Sequence, residues 1–297
     1  MRSSRHRASR HRATSRTPRF DGPNGIVLGS AHRALVLVST LVLAGSVVLP
    51  QSGRAATQAA GRVVAQAGGP MAGRPSDRAE IAEFTFARLV HASAAYGDWP
   101  RWQADWPHAE HHFGEGLDRL TGIDVAAEGV LLGMEDDALF DYPWLYAVEV
   151  GSLALSSVEA SRLREYLERG GFLMVDDFHG ALEWRGFERA MRRVFPERPF
   201  VELGDDAEPF HVLYDLTARE QIPGIRALLN GRTWEKGGRD PVWRGILDDD
   251  GRVMVAINHN QDLGDAWEHA DDVRYPQSLT AQAYRLGINY VVYAMTH

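Results

Sequence analysis

Short apolar runs alternate with amphipathic stretches along the chain after residue 82. The runs at residues 172–175 and 253–257 contain no charge, which is typical of strands that are buried on both faces of a sheet. Residues 156–169 and 278–295 carry apolar side chains at helical spacing instead. This alternation predicts an α/β domain with a mostly parallel sheet and helices on both of its faces.

A capping box marks the start of one helix. Ser156 is followed three residues later by Glu159, and Gly170-Gly171 supplies the signal for the end of the helix. We expect this helix to bury Val158, Leu163, Tyr166 and Leu167. The other predicted elements are strands at 83–91, 130–132, 145–148 and 252–257, helices at 108–120 and 181–194, short extended segments at 199–203 and 209–216, and a loop over 222–244.

Residues 1–55 have the pattern of an export segment. Residues 34–49 are apolar and uncharged, and as a helix they would span about 24 Å, less than the roughly 30 Å core of a bilayer. The basic start, the short apolar run and the small residues after it predict a signal peptide that is cleaved after Ala55 or Ala59. An uncleaved signal anchor and a transit peptide are the alternatives. Residues 56–77 are predicted to be a flexible linker, and 78–297 a single α/β domain.

The charge of the chain is unevenly distributed. The first 33 residues contain eight Arg and one Asp, whereas the whole chain carries −8, so the remainder carries about −15. Such an acidic domain argues against binding to nucleic acid, which requires a cationic surface. A basic or neutral ligand fits better, and the alternative is that the negative charge serves solubility alone. The expected partner is a small molecule or an envelope protein. We expect only the N-terminal segment to contact the membrane. Because this segment predicts export, we expect the domain in the periplasm or another extracytoplasmic part of the cell envelope.

The strongest candidate site follows the predicted strand at 172–175. Asp176, Asp177 and His179 stand where parallel strands place their ligands, and two carboxylates with an imidazole can bind a metal or transfer protons. The competing interpretation is that one Asp caps the next helix and the other accepts hydrogen bonds from loop amides. The sequence does not identify a cofactor, and a divalent metal is one candidate.

A second polar segment, residues 258–265, follows the strand at 252–257. Its Asn, His and Asp residues suit a ligand pocket or a site for a hard cation, although a loop rich in Asx turns is the alternative. Glu149 ends a third strand, and Tyr284 offers a hydroxyl from the last helix. The candidate catalytic residues are therefore Asp176, Asp177, His179 and His259, and the candidate ligand-binding residues are Glu149, Asn258, Asn260, Asp262, Asp265 and Tyr284.

Several segments together resemble a bacterial family, the domain of unknown function (DUF) family number 4159. The segments are 84–89 (FTFARL), 140–143 (FDYP), 170–178 (GGFLMVDDF), 259–265 (HNQDLGD) and 282–289 (QAYRLGIN), in this order over about residues 82–297. The resemblance implies a flavodoxin-like sheet related to the class I glutamine amidotransferase fold. It implies no activity. The amidotransferases use a Cys nucleophile, and this chain contains no Cys, which argues against glutaminase chemistry.

Two hypotheses about function remain after these observations. The first is a ligand-binding or scaffold module of the envelope, because no complete catalytic signature is present. The second is a hydrolase that depends on Asp and His, with or without a metal, because two polar segments with acids and His residues follow strands that the fold would bring together.

Overall fold

Two long parallel strands form the centre of the fold, because their residues are apolar on both faces. They are β6, Phe172–Phe178, and β9, Val253–His259, and every residue in both is buried. The structure is a computed structural model that describes residues 82–94 and 99–297. The predicted export segment, with its apolar run at 34–49, and the predicted linker at 56–77 lie outside these residues.

Among the described residues, the main sheet has seven strands. Besides β6 and β9, the strands of the structure are β1 (Ala87–Val90), β2 (Ala92–Ser93), β3 (Val130–Gly133), β4 (Trp144–Val148), β5 (Leu153–Ala154), β7 (Val201–Glu202) and β8 (Val242–Leu247). From one edge to the other, the order is β3, β1, β4, β6, β9, β8, β7. The first five strands pair in parallel, and β8 alone runs in the opposite direction, because it pairs antiparallel with both β9 and β7. A separate pair, β2 with β5, is antiparallel.

Helices cover both faces of this sheet, as the sequence predicts. Alternate residues of each strand enter two separate apolar cores, so that Tyr146 of β4 belongs to one core and Leu145 to the other. The first core contains residues of α1 (His108–Thr121), α5 (Leu263–Glu268) and α6 (Gln277–Thr296). The second core contains residues of α2 (Ser157–Glu168) and α3 (Gly180–Val194). A short helix, α4 (Ile225–Leu229), precedes β8.

The predicted capping box at the start of α2 is confirmed. The Ser156 hydroxyl accepts a hydrogen bond from the Glu159 backbone N–H at 3.1 Å, and the Ser156 N–H donates to the Glu159 carboxylate at 2.7 Å. Leu163, Tyr166 and Leu167 are buried as predicted, but Val158 is 54% exposed. Val158 precedes Leu163 by five residues, which is about 140° around a helix, so the two side chains cannot share one face.

The structure differs from the predicted elements in three places. Strands β6 and β9 continue past the predicted apolar runs, so Asp176, Asp177, Asn258 and His259 belong to strands rather than to loops. Residues 209–216 form no strand and begin in a 3₁₀ turn at Glu208–Phe210. The region 222–244 is not all loop, because it contains α4 and the start of β8. Periodicity alone missed the ends of β6 and β9, because buried polar side chains interrupt the apolar pattern there.

A buried ion pair joins β1 to α1. The Arg88 guanidinium contacts the Glu110 carboxylate and donates to the carbonyls of Trp102 and Ala104, each at 2.9 Å. Both charged side chains are almost fully buried. The pair therefore holds the loop before α1 against the sheet, where Asp105 reaches the site described below. Among residues 82–94 and 99–297, no helix is both long and apolar enough to cross a membrane.

We expect Ser156→Ala to lower the free energy of unfolding by about 1 kcal/mol, because the substitution leaves a backbone N–H at the start of α2 without its acceptor. Urea unfolding followed by circular dichroism measures the loss. Ser157→Ala is the matched control, since Ser157 is the next residue, is also exposed and does not cap the helix. Equal effects of the two substitutions would contradict a role for the capping box.

Candidate functional site

The polar residues of the site lie at the carboxyl ends of β6 and β9, which are neighbours in the sheet. The pairing between these strands is regular up to Val175 and is interrupted by a register shift before Phe178. At this bulge, Asp177 has a φ of 48°, and its backbone N–H donates to the Gln261 carbonyl at 3.1 Å. The bulge therefore turns the Asp177 side chain away from the strand pattern and toward the segment that follows β9.

Unusual backbone conformations concentrate around this bulge. Five described residues other than glycine have positive φ, and each contacts the site or contributes charge to it. Such conformations cost energy outside glycine and often accompany functional sites. The five residues are Asp105 (63°), Glu149 (51°), Asp177 (48°), Lys236 (44°) and Asn260 (67°).

Asp176 connects three elements at the base of the site. Its Oδ2 accepts hydrogen bonds from the backbone N–H groups of Leu263 (2.7 Å) and Gly264 (3.1 Å), and from the Tyr146 hydroxyl (3.1 Å). Its Oδ1 is buried and has no partner among the described residues. Burial raises the pKa of Asp176 to about 6, although these three hydrogen bonds favour the ionised form.

Asp177, His179 and Asp262 form the innermost part of the site. One ligand-type atom from each residue lies within 4.8 Å of the others, and the three residues are buried. His179 Nε2 is 3.2 Å from Asp177 Oδ1, while His179 Nδ1 has no partner among the described residues. Burial lowers the pKa of His179 to about 3, so the imidazole is neutral at neutral pH.

Burial also raises the pKa values of Asp177 and Asp262 well above the usual range for aspartate. Nearby carboxylates add to this effect: Glu149 and Asp105 act on Asp177, and Asp177 itself acts on Asp262. Carboxyls this close favour the protonated form, because ionised neighbours repel one another. We call the following five residues the aspartate cluster: Asp105, Asp176, Asp177, Asp262 and Asp265.

Three carboxylates converge beside Gly224 at the edge of the aspartate cluster. A Cβ atom added at Gly224 would lie 2.5 Å from Asp262 Oδ2, 2.6 Å from Glu235 Oε1 and 2.8 Å from Asp265 Oδ2. Gly224 has φ −62° and ψ 151°, which any residue can adopt. Glycine is therefore required here to leave space between the carboxylates, and not to provide an unusual backbone conformation.

Two positive charges, those of Lys236 and Arg101, lie at the rim of the site. Lys236 Nζ is 2.9 Å from Glu183 Oε1 and 3.4 Å from Glu149 Oε2. Burial alone would lower the pKa of Lys236, but the carboxylates of Glu149, Asp177 and Glu183 outweigh it and raise the pKa above its usual range. Arg101 contacts the other oxygen of Glu149 at 3.1 Å. Glu149, a predicted ligand-binding residue, is thus paired with two cations at the rim.

Three predicted site residues on or beside β9 have structural partners. The Asn258 amide donates to the Val175 carbonyl and accepts from the Tyr290 hydroxyl. Asn260 accepts from the Gly180 N–H and donates to the Asp240 carbonyl. The His259 ring packs between Phe178 and Trp184 and contacts the Gly180 carbonyl, and burial lowers its pKa to about 4. These side chains support the loops around the site and do not join its carboxylates.

Asp265 and Tyr284 differ in position. Asp265 lies in the aspartate cluster, where Oδ2 accepts from the Ile225 N–H at 2.6 Å and Oδ1 lies 3.1 Å from His269. Tyr284 lies elsewhere, since its hydroxyl donates to the His112 carbonyl and its ring stacks against Phe113. The structure therefore brings Asp176, Asp177, His179, Asp262 and Asp265 together, with Glu149 at the rim, and does not bring Asn258, His259, Asn260 or Tyr284 into the same group.

Sequence reasoning missed three residues of the site. Asp105 comes from the Trp-rich loop before α1, and Glu235 and Lys236 come from the loop before β8. No local pattern identifies Asp105 or Glu235, because their loops reach the site only through tertiary packing. Lys236 could have been singled out from the sequence, because it is the only lysine among the 32 Lys and Arg residues of the chain.

The fold and the site together define an α/β domain with an acidic site at the carboxyl ends of its parallel strands. The family model described as "Domain of unknown function (DUF4159)" matches residues 85–295, and the chain belongs to this family. No curated protein matches the sequence.

We expect Asp176→Asn to change how stability depends on pH. The unfolded carboxyl titrates near about 3.9, so raising its pKa to about 6 makes the native state bind more protons between these values. Native stability should therefore fall as pH rises through this window, by about 3 kcal/mol in total. The Asn amide stays neutral and still offers an oxygen to the N–H groups of Leu263 and Gly264, so the variant should lack this fall.

Denaturant unfolding at pH 4, 5, 6 and 7, with EDTA present, measures this difference. The advantage of the variant over the native chain should grow as the pH rises from 4 to 7. Asp250→Asn serves as a control, because Asp250 is exposed and lies before the start of β9, at the opposite end of that strand from the site. If the free energies of unfolding of Asp176→Asn and the native chain instead differ by the same amount at every pH, burial does not raise the pKa of Asp176.

Proposed function

We propose that this chain is an exported protein of the cell envelope, with a ligand-binding module that holds a cation in the aspartate cluster. Export is supported by the basic start of the sequence and the uncharged run at 34–49. The proposed address is the periplasm or another extracytoplasmic compartment. Contact with the membrane is proposed only through the N-terminal segment.

We also propose that the domain has a flavodoxin-like fold related to that of class I glutamine amidotransferases. Counted along the chain, its five parallel strands have the order 2-1-3-4-5, which is the flavodoxin-like order. Ligands of such sheets bind beyond the carboxyl ends of the strands. The amidotransferase nucleophile is missing because the chain contains no Cys, and the turn from β6 to α3 carries Asp177 and His179 instead. These features favour binding over glutaminase chemistry.

The crowding of buried carboxyls is the observation that carries the proposal. Asp177 and Asp262 have raised pKa values because burial and the charges of neighbouring carboxylates disfavour ionisation. Without a ligand, this arrangement lowers the stability of the domain or keeps protons on its carboxyls. A bound cation removes both penalties, because its charge favours the ionised form of every neighbouring carboxyl. The site therefore binds a cation more strongly than a neutral or anionic ligand.

The charge of the domain supports the same class of ligand. Residues 34–297 carry about −15, which attracts cations and repels nucleic acid. Lys236 lies beside Glu149 and Glu183, so a positive charge fits the rim of the site. The proposed ligand is a small cation or a basic group of an envelope protein.

A second candidate function is a hydrolase that uses Asp and His, with or without a metal. The contact of 3.2 Å between His179 Nε2 and Asp177 Oδ1 favours it, because such a pair can orient water. The separation of His259 from the carboxylates counts against the four-residue catalytic set. The test is hydrolysis of a chromogenic ester or phosphate. If the native chain hydrolyses it and Asp177→Ala does not, the hydrolase would replace the binding module as the proposed function.

We expect cations to raise the melting temperature of the full chain, since a ligand that binds only the native state stabilises it by mass action. Differential scanning fluorimetry with Mn²⁺, Zn²⁺, Mg²⁺, Ca²⁺, putrescine and spermidine measures the shift. The double variant Asp177→Asn/Asp262→Asn should lose at least most of the shift, because its site carries two fewer negative charges. Asp250→Asn, at an exposed position, should keep it.

Anionic probes of similar size, such as succinate and inorganic phosphate, provide the comparison for charge. The proposal predicts no shift with these anions. A chain that responds to none of the six cations, or that responds equally to anions and cations, would rule out a cation-binding module.

A further inference from the structure

We infer that Asp177, His179 and Asp262 bind one divalent transition-metal ion through two carboxylate oxygens and one imidazole nitrogen. This inference rests on the proposed cation-binding function and names the class of cation. The three residues come from two different strand ends and meet only in the folded chain. Their candidate ligand atoms all lie within 4.8 Å of one another.

The spacing of the ligand atoms fits a metal ion. Bonds of about 2.1 Å place neighbouring ligands roughly 3.0 Å apart in octahedral geometry and roughly 3.4 Å apart in tetrahedral geometry. His179 Nε2 and Asp177 Oδ1 are 3.2 Å apart, between these values. The upper limit of 4.8 Å for the whole group leaves room for one ion between the three side chains. Small side-chain rotations would complete the coordination.

The backbone around the three residues is fixed by hydrogen bonds. The Asp177 N–H donates to the Gln261 carbonyl, the His179 N–H to the Glu183 carboxylate, and the Asp262 N–H to the Ile222 carbonyl. Asp262 Oδ1 accepts from the Asp265 N–H at 2.9 Å, which leaves Asp262 Oδ2 facing the space beside Gly224. The ligands are therefore held in place before an ion arrives, which favours binding.

Buried polar atoms without partners supply a second and independent observation. The His179 side chain is only 1% exposed, and its single polar contact is with Asp177. Asp176 is fully buried next to the three residues, and its Oδ1 has no partner among the described residues. Burying polar atoms in this way is costly unless a partner satisfies them. An ion between Asp177, His179 and Asp262 takes a lone pair from the neutral imidazole, and its charge attracts the buried Asp176 carboxylate.

The ligand set selects the class of metal. Mg²⁺ and Ca²⁺ prefer oxygen ligands, and Ca²⁺ takes six to eight of them, whereas imidazole suits Zn²⁺, Fe²⁺ and similar ions. The set contains no sulfur ligand. Two carboxylates and one imidazole therefore favour Mn²⁺, Fe²⁺ or Zn²⁺, with open positions for water or a second ligand. The half-buried carboxylates of Glu235 and Asp265 border these open positions beside Gly224.

A rival group of potential ligands is present in the same part of the fold. Asp265, Glu268 and His269 also have ligand-type atoms within 4.8 Å of one another. These three residues are half-buried, and His269 is already paired with both carboxylates at 3.1 and 3.7 Å. None of these three residues has a buried polar atom without a partner, which makes the group the weaker site. It provides a matched control for the experiment.

Isothermal titration calorimetry on the full chain, after treatment with EDTA and dialysis, tests the inference with Mn²⁺, Zn²⁺, Mg²⁺ and Ca²⁺. The native chain should bind one Mn²⁺ or Zn²⁺, at least tenfold more tightly than Mg²⁺ or Ca²⁺. His179→Gln should weaken this binding at least about tenfold, since even indirect partners of a metal contribute about 10- to 100-fold. His269→Gln should leave it unchanged.

Asp262→Asn addresses the risk that a variant fails to fold. Asn caps a helix as well as Asp does, so α5 keeps its N-cap while the site loses a charged ligand. Circular dichroism should show a native spectrum, and calorimetry should show at least tenfold weaker binding of the metal. Native affinity in both Asp262→Asn and His179→Gln would overturn the inference.

The other outcomes separate this inference from the proposed function. Loss of binding in His269→Gln alone would move the metal to the rival group and overturn the inference. A native chain that binds none of the four metals but is stabilised by putrescine or spermidine would also overturn it, while leaving the cation-binding module intact. A native chain that responds neither to the metals nor to the two amines would overturn both.

Discussion

The buried carboxylate of Asp176 is the interaction on which the rest of the site depends. Its Oδ2 joins β6 to the start of α5 through the N–H groups of Leu263 and Gly264, and to β4 through the Tyr146 hydroxyl. Hydrogen bonds to an ionised acceptor are stronger than neutral ones, and a helix start favours negative charge. This contact fixes α5 against the central strand, which brings the residues at the start of α5 beside the bulge in β6.

Most of the fold follows from local sequence patterns. Helices α1, α2, α3 and α6 lie where apolar periodicity and capping signals predict them, because each buries one apolar stripe against the sheet. The ends of β6 and β9 were not predictable in this way. Asp176, Asn258 and His259 are polar, yet they stay in their strands because Tyr146, Tyr290 and backbone groups satisfy them. Strand β8 was missed although it pairs with β9, the next strand in the chain, because Arg244 and Gly245 interrupt its apolar residues.

The candidate site was predictable where it depends on topology and unpredictable where it depends on packing. The ends of neighbouring parallel strands meet at one edge of a sheet, so Asp177 and Asp262 could be expected near each other. Asp105 reaches the same place because the buried Arg88–Glu110 pair holds its loop against the sheet, a contact that no local pattern encodes. Tyr284 was assigned from its chemistry alone, and its helix turns the hydroxyl toward α1 instead.

The single lysine has a consequence for the chemical reactivity of the protein. The sequence contains no cysteine and only Lys236 as a lysine, so it presents one side-chain amine to acylating reagents. This amine is held as an ammonium group by Glu149 and Glu183, and an ammonium group has no lone pair with which to attack. At a given pH, Lys236 should therefore be acylated more slowly than an exposed lysine without such partners. The labelling rate of Lys236 should therefore change whenever the protonation or position of the carboxylates around it changes.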